Sequence, residues 1–488
     1  MAPKPLPDTR HVISINDLSK AEIETVFDVA QSYLTEYGDP NSHHRIARSS
    51  NLAPNFILAS LFYEPSTRTR LSFESAMLRL GGTFITSADP ATSSAAKGES
   101  LADSVRVIAN YADVMVIRHP RDGAARLAAE FSPIPVINGG DGSHEHPTQT
   151  LCDLFTLKKK NKRLKNLKVA IAGDLKGSRT IHSFVYALAR FGADIVPMPA
   201  QGMELPPHVD RRLREEFHCN FVPGDGSIDA LYRTPEEPHQ PALFAGPDFE
   251  LSFNVGGPGG GDPIHRKKID AVYVTRYQKE RTVEKQEGYP KIDAQFLKEP
   301  KYSHASVLHP LPRVDELDAS LDSDNRAVYF EQAAYGVPVR MALISLLLGL
   351  QKGISLRKFE GGFEKPESLV YQQPLSVGIR CANANCIVHE PKESPYVRNK
   401  FHVVKNSDQD TCKLRCVYCE TDIDRFFVAS KKNKWFTDNT AALLHTKDQN
   451  IKDLLAFAEE ADAISHGFHF RRHAAARGPQ HESSKSHS

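Results

Sequence analysis

Short apolar runs alternate with helix-period stretches along the first part of the chain. The segments "NFILASLF" (55–62), "DVMVIRH" (113–119), "IPVIN" (134–138) and "KVAIAGD" (168–174) each read as a buried strand, and each is followed by a stretch with helical spacing. That alternation predicts βαβ units and a parallel sheet. Leu71, Phe73, Met77, Leu78 and Leu80 give the first helix an uneven apolar face, with Ser66 or Thr67 as its cap and Gly81-Gly82 as its stop. A further helix opens at Pro147 in "EHPTQTLCDLFTLKKKNKRL", carried by Leu151, Leu154 and Phe155. The basic run at its end reads as a solvated face. A second α/β unit begins at Lys168. From Gly224 to His265 the pattern dissolves into Gly- and Pro-rich sequence, which predicts an excursion (224–265) with no core element. The alternation resumes in "IDAVYVTRYQKER" and "SHASVLHPLPRVDEL" and closes in the apolar helix "VRMALISLLLGLQKG".

Beyond residue 353 the composition changes. Residues 353–374 read as a linker, 375–430 as a small cysteine-bearing domain, and 431–488 as a tail. In that tail "NIKDLLAFAEEADAI" predicts one amphipathic packing helix and the last residues are expected to be disordered. The 488 residues suffice for two to four domains. Lys plus Arg number 61 against 60 Asp plus Glu, so no global basic field gathers nucleic acid, and positive charge must serve local chemistry. No stretch approaches the roughly 18 to 20 apolar residues of a membrane span, and the start carries no apolar leader. A soluble, cytoplasmic protein is expected.

The charged groups fall at predicted strand ends, where open α/β sheets bind ligands. "FYEPSTRTRLSFE" puts Ser66, Thr67, Arg68, Thr69 and Arg70 between an apolar strand and an apolar helix. Read alone, these residues cap a helix and decorate a surface. The strand-to-helix context favours an anion site of backbone N–H groups, hydroxyls and guanidinium groups, and phosphate fits it best. Arg118, Arg179 and Arg276 each follow a predicted strand, a set suited to a substrate with several oxyanions. His146, at a loop-to-helix junction with Gln149 one turn on, can donate to a substrate oxygen or be structural. Lys97 sits in a Ser-rich loop.

Cys381, Cys386, Cys412, Cys416 and Cys419 cluster late in the chain, away from Cys152 and Cys219. The pairs Cys381/Cys386 and Cys416/Cys419 read as two knuckles of a closed tetrahedral structural zinc site, with Cys412 and His389 as possible substitute ligands.

In order, "FYEPSTRTRLSFESA", "KGESLADS", "VIRHP", "GDGSHEHPTQTLCDLF", "GDLKGSRTIHS", "TRYQKER" and "VLHPLPRVDEL" resemble the motifs of the aspartate carbamoyltransferase family over about residues 8 to 352, apart from the excursion. "CANANCI" and "CVYCE" are similar to the zinc domain of that enzyme's regulatory chain. The resemblance implies two doubly wound parallel-sheet α/β domains joined by interdomain helices, with a small β-rich zinc-binding domain at the C-terminus. The first domain would span 1–150 and be completed by the helix near 330–352. The second would span 151–325.

The implied reaction is carbamoyl phosphate plus L-aspartate to N-carbamoyl-L-aspartate and phosphate, in pyrimidine synthesis, with no organic cofactor. Carbamoyl phosphate would dock on Ser66, Thr67, Arg68, Thr69 and Arg118, and Thr69, Arg118 and His146 would stabilise the carbamoyl oxygen. Gln149 and the Pro310 and Leu311 carbonyls would hold the carbamoyl NH2, while Arg179, Arg276 and Gln278 would grip aspartate. Glu64 would pair with Arg179 and Arg281 on domain closure. Ser93 and Lys97 would reach a neighbouring subunit's site, implying a homotrimer with shared sites, and two trimers could join through the zinc domains. The nucleotide-binding domain that precedes zinc in the regulatory chain has no room between 353 and 380. Rival readings are a carbamoyltransferase for another amino acid, against which "HPLPR" and "TRYQ" speak, an inactive scaffold, and a zinc-ribbon nucleic-acid binder, which the neutral charge disfavours.

Overall fold

A computed structural model describes residues 9–38, 46, 49–87, 97–217, 219, 268–278, 289–356, 369–371, 375–376, 379–398, 400–406, 411–437, 454–457 and 459–470. The Gly/Pro-rich excursion, Ser93, Arg281 and the end of the tail lie outside these residues. The chain divides into two compact units, 1–365 and 366–488. No helix among the described residues is long and apolar enough to cross a membrane.

The first unit holds two four-stranded parallel sheets. In one, β1 (Ile57–Phe62), β2 (Thr83–Ser87), β3 (Val114–His119) and β4 (Val136–Asp141) run in the order β2-β1-β3-β4. In the other, β5 (Lys168–Gly173), β6 (Asp194–Pro199), β7 (Ala271–Val274) and β8 (Ser306–Leu308) run in the order β6-β5-β7-β8. Each sheet therefore reverses its winding beside its first strand, and the carboxyl ends flanking such a switch point are where an open α/β sheet leaves a crevice.

The helices of this unit are α1 (Lys20–Tyr37), α2 (Thr67–Arg79), α3 (Leu101–Ile108), α4 (Ala124–Phe131), α5 (Pro147–Asn161), α6 (Arg179–Arg190), α7 (Pro207–Glu215), α8 (Tyr329–Ala334) and α9 (Gly336–Leu347). Helix α9 is mostly apolar, buried at every position but Val337, and packs on α1, α2 and α5, which makes one core continuous across both sheets.

Two expectations change on packing. Of the apolar face read into α2, Phe73, Met77 and Leu80 are buried, but Leu71 and Leu78 are about half exposed. The basic run ending α5 is not simply solvated: Lys158 pairs with Glu24 of α1, and Lys160 lies 2.5 Å from Glu331 of α8.

The second unit carries two antiparallel-rich sheets. In the first, β10 (Leu375–Ser376), β11 (Lys400–Asn406), β12 (Thr411–Cys416) and β13 (Asp422–Ile423) run in that order, and β9 (Leu369–Tyr371) also pairs with β11. The second comprises β14 (Phe427–Ser430), β15 (Trp435–Thr437), β16 (Leu454–Phe457) and β17 (His469–Phe470), in the order β16-β14-β15-β17.

The helix expected over "NIKDLLAFAEEADAI" is a correction: its apolar run is β16, and among the described residues of that stretch only those of α10 (Glu460–Ser465) are helical. Phe457 pairs with Phe427 and packs in a small core with Phe436, Ala463 and Phe468. A four-residue apolar run fits a buried strand as well as a helix turn, and sheet pairing overrides the helix propensity of Leu and Ala.

Candidate active site and metal centre

Chain segments from both switch points meet at one cavity of about 660 Å³. On the first sheet, β1 ends at Phe62 and the chain turns into α2 at Thr67. Ser66 occupies the N-cap position, yet its side chain makes no capping bond, so its hydroxyl stays available beside the free N–H groups of the first turn. Thr69 faces inward and is buried. Arg118, at the end of β3, reaches the same place with one Nη 3.5 Å from Glu64.

His146 closes this side. It is 3% exposed and caps α5, its Nδ1 accepting from the Gln149 backbone N–H at 3.4 Å. Accepting there places the proton of a neutral ring on Nε2, which lies 3.4 Å from the Thr69 hydroxyl. The ring thus turns a donor toward the cavity. Its backbone N–H donates to Ser183 Oγ at 2.8 Å, and Ser183 in turn donates to Glu145, so the junction is held from the second sheet.

The second sheet supplies Arg179, first residue of α6, and Arg276 and Gln278, just after β7. Arg179 donates from Nη2 to Glu64 at 2.8 Å, so one carboxylate ties the two sheets' arginines together. Arg68 donates from Nη2 to the Leu311 carbonyl at 2.7 Å. Pro310 and Leu311 also line the cavity, as does Gln149. Lys97 stands exposed in a turn before α3 and does not line it.

The charge is unbalanced. Arg68, Arg118, Arg179, Arg276 and Arg340 line the cavity against the single carboxylate of Glu64 among the described residues. Burial, and then the nearby Arg276, push the Arg68 guanidinium below the ordinary arginine range. An anion entering here relieves that repulsion. The arrangement suits a ligand with a phosphoryl group at the α2 end and carboxylates at the Arg179/Arg276 end, with donors aimed between them.

Several contributors escaped sequence reasoning. Gly140, at φ +111°, is the next-to-last residue of β4, and a Cβ there would sit 3.0 Å from Arg179 Nε and 3.3 Å from Arg118 Nη1. The two arginines converge because that side chain is missing. Tyr289 joins the ends of β5 and β7: its hydroxyl donates to Thr275 O at 2.7 Å and accepts from the Asp174 N–H. His309 accepts from the Leu311 N–H at 2.8 Å and pairs with Glu316 at 2.8 Å, which fixes the loop presenting the Leu311 carbonyl. Gly-Gly in "VINGGD" and the short span from His309 to Glu316 were the legible hints among these, whereas Tyr289 lies 115 residues from Asp174.

In the second unit, Cys381, Cys386, Cys416 and Cys419 bring all four Sγ atoms within 4.8 Å of one another, and all four are buried. Sγ separations of 3.4 Å (Cys381–Cys419) and 3.9 Å (Cys386–Cys416) match the roughly 3.8 Å edge of a tetrahedron with ~2.3 Å metal–sulfur bonds. The substitutes are excluded: His389 commits Nε2 to the Cys381 carbonyl at 2.8 Å, and Cys412 does not join the cluster.

Comparison with known proteins gives the same division. Residues 10–159 match the aspartate/ornithine carbamoyltransferase carbamoyl-P binding domain, and 265–347 match the Asp/Orn binding domain. Residues 376–428 match the metal binding domain of the aspartate carbamoyltransferase regulatory chain. The aspartate carbamoyltransferase catalytic subunit of Alkaliphilus metalliredigens is 41% identical over 346 residues, covering 70% of this chain and 97% of the relative. That of Thermococcus onnurineus is 42% identical over 349 residues, covering 70% and 98%. Among solved structures, the catalytic subunit of M. jannaschii aspartate transcarbamoylase matches with a TM-score of 0.55 at 39% identity, covering 71% of this chain and all of its own. The Trypanosoma cruzi enzyme in complex with carbamoyl phosphate and aspartate matches with a TM-score of 0.52 at 28% identity, covering 69% and 94%.

Proposed function

The chain belongs to the aspartate carbamoyltransferase family, and from that premise we propose how its cavity carries out the transfer from carbamoyl phosphate to L-aspartate. Ser66, Thr67, Arg68, Thr69 and Arg118 hold the phosphoryl group at the α2 N-terminus. Thr69, Arg118 and the Nε2–H of His146 meet the carbamoyl oxygen as it gains negative charge under attack by the aspartate amine. Gln149 with the Pro310 and Leu311 carbonyls receives the carbamoyl NH2. Arg179, Arg276 and Gln278 take the two carboxylates of aspartate and align its amine. The bond from amine nitrogen to carbamoyl carbon forms as the bond from that carbon to the phosphate oxygen breaks, and the amine proton leaves with phosphate. No covalent enzyme intermediate is required.

The observation that carries this reading is the convergence of the Ser66–Thr69 turn and Arg118 with Arg179 and Arg276 on one cavity that holds a single carboxylate among the described residues. The test is ureido-product formation from carbamoyl phosphate with L-aspartate, and in parallel with L-ornithine. Turnover with aspartate alone, falling about 10³-fold or more in Arg68→Ala, is expected. Turnover with ornithine, or none with either, would overturn the assignment.

Ser93 and Lys97 are assigned to a neighbouring subunit's cavity in a homotrimer. Lys97 stands outside its own cavity, and the half-exposed Leu71 and Leu78 of α2, with Ile85 on the edge strand β2, offer apolar surface for a partner copy. Mixing dissociated Arg68→Ala and Lys97→Ala chains should restore activity that neither has alone, because hybrid trimers would contain intact sites. No recovery would argue for self-contained sites. The four-cysteine cluster is assigned to a structural zinc ion with no open position for catalysis. The protein is read as a cytoplasmic enzyme of pyrimidine synthesis, with pairing of trimers through the zinc domains as a further level of assembly.

A further inference from the structure

One buried carboxylate beneath the cavity has no part in the scheme above. Asp153 lies one turn beyond Gln149 on α5 and is fully buried. Its Oδ1 accepts from Gln149 Nε2 at 2.7 Å and from Gln332 Nε2 at 2.6 Å, and its Oδ2 accepts from the Tyr273 hydroxyl at 2.9 Å. The nearby buried cation is Arg340 of α9, whose charge favours the ionised acid. Burying a carboxylate is costly unless it is fully hydrogen-bonded, and here three donors converge on it.

The chemistry of those donors fixes a direction. Both glutamines meet the same oxygen, Oδ1, which accepts whether the group is ionised or carries a proton on Oδ2, so each must turn its NH2 toward Asp153 and its carbonyl oxygen away. For Gln332 the consequence is visible: its Oε1 accepts from the His309 backbone N–H at 2.9 Å, at the base of the loop that presents Pro310 and Leu311. Gln149 lines the cavity, so the same rule aims its Oε1 at the ligand.

We propose that Asp153 is a positioning residue for carbamoyl recognition: by holding the NH2 of Gln149, it presents the Gln149 carbonyl oxygen as an acceptor for the carbamoyl NH2. The inference rests on the assignment of Gln149 to that NH2. Without Asp153 the amide rotates freely, and a rotated Gln149 would oppose NH2 to NH2. Recognition of the phosphoryl group, which depends on α2 and Arg118, would be untouched.

The test compares carbamoyl phosphate with acetyl phosphate, which has a methyl group in place of the NH2 and the same phosphoryl group. Dissociation constants are measured by calorimetry for the full chain and two variants. The wild-type protein should prefer carbamoyl phosphate. Asp153→Leu, close in shape but without an acceptor, should lose at least tenfold of that preference while binding acetyl phosphate within threefold of wild type. Asp153→Asn keeps an oxygen for the two amides and can turn its NH2 to Tyr273, so it should retain the preference within threefold. If the leucine variant does not fold, Asp153→Ser takes its place.

Retention of the wild-type preference in Asp153→Leu would overturn the proposal, and so would an equal loss of both ligands, which marks a purely structural role. A wild-type protein that binds both ligands equally would instead refute the assignment of Gln149.

Discussion

The cavity of the first unit and the thiol cluster of the second solve opposite problems with opposite means. The cluster draws its four ligands from two short knuckles, buries them all and satisfies them with one another's geometry. The cavity draws its groups from the ends of several strands and leaves an excess of arginine charge facing a space. A closed set of identical ligands is a device for stability. An open set of unlike donors is a device for binding something that comes and goes. The difference predicts where each region fails: the cluster through folding, the cavity through catalysis.

The largest effect should be in the cluster. Replacing Cys416 by Ser removes one of four thiolates, and structural zinc sites hold apparent folding energies of about 10 kcal/mol or more. The variant should lose bound metal by elemental analysis, and the amides of β11 and β12, which flank the cluster, should lose protection from hydrogen exchange. Full metal content and unchanged protection would mean that the fourth thiolate is dispensable to the site, and the contrast with the cavity would collapse.

How far each region was legible follows from the same difference. The cluster could be read because its ligands sit five and three residues apart within each pair, and the structure only had to remove Cys412 and His389. The anion turn after β1 could be read because Ser66 to Thr69 are contiguous. Arg118, Arg179 and Arg276 were legible one at a time from strand ends. Their shared placement suggested one site and the resemblance implied it, but what lets them converge was hidden: Gly140 lacking a Cβ, and Glu64 reaching Arg118 as well as Arg179. Asp153 could not be singled out at all: its partners Tyr273 and Gln332 lie 120 and 179 residues away. The tail misled because a short apolar run carries no period of its own, and β14 decided its conformation.

A smaller effect probes the cavity's foundations through pH. Burial raises the Asp153 carboxyl from the ordinary 3.8 to about 7, opposed by its hydrogen bonds to Gln332, Gln149 and Tyr273 and by Arg340. Cys152 and Tyr273, which also face it, are pushed upward, Cys152 to about 11, so neither titrates near neutrality. A folded-state pKa above the unfolded value means the stabilising contribution is complete below about pH 4 and is lost as pH rises through about 7. Asp153→Asn has no such titration. Between pH 5 and pH 8 the wild-type protein should therefore lose thermal stability relative to the variant, by a few kcal/mol at most on the ~1.4 kcal/mol per unit scale. Parallel melting curves across that range would show that the carboxylate stays ionised throughout and that the three donors outweigh burial.

The smallest effect sharpens the contrast most. At Glu64 the open cavity behaves like the closed cluster, because its carboxylate already satisfies Arg179 at 2.8 Å and Arg118 at 3.5 Å. Two outcomes are conceivable on removing it. If Glu64 holds the arginines of the two sheets in the geometry that aspartate needs, Glu64→Ala should raise the apparent KM for aspartate about tenfold, or ~1.4 kcal/mol, with carbamoyl phosphate binding changed less than threefold. If Glu64 instead competes with aspartate for Arg179, the KM should fall. The first is expected: Glu64 engages Arg179 through Nη2, which leaves other guanidinium N–H groups to receive a carboxylate. A partly exposed pair is also weak enough to serve as a brace that a bound anion can share. Steady-state kinetics with aspartate varied at saturating carbamoyl phosphate decide the sign, and a lowered KM would mean that part of the cavity, like the cluster, is built to be satisfied without its ligand.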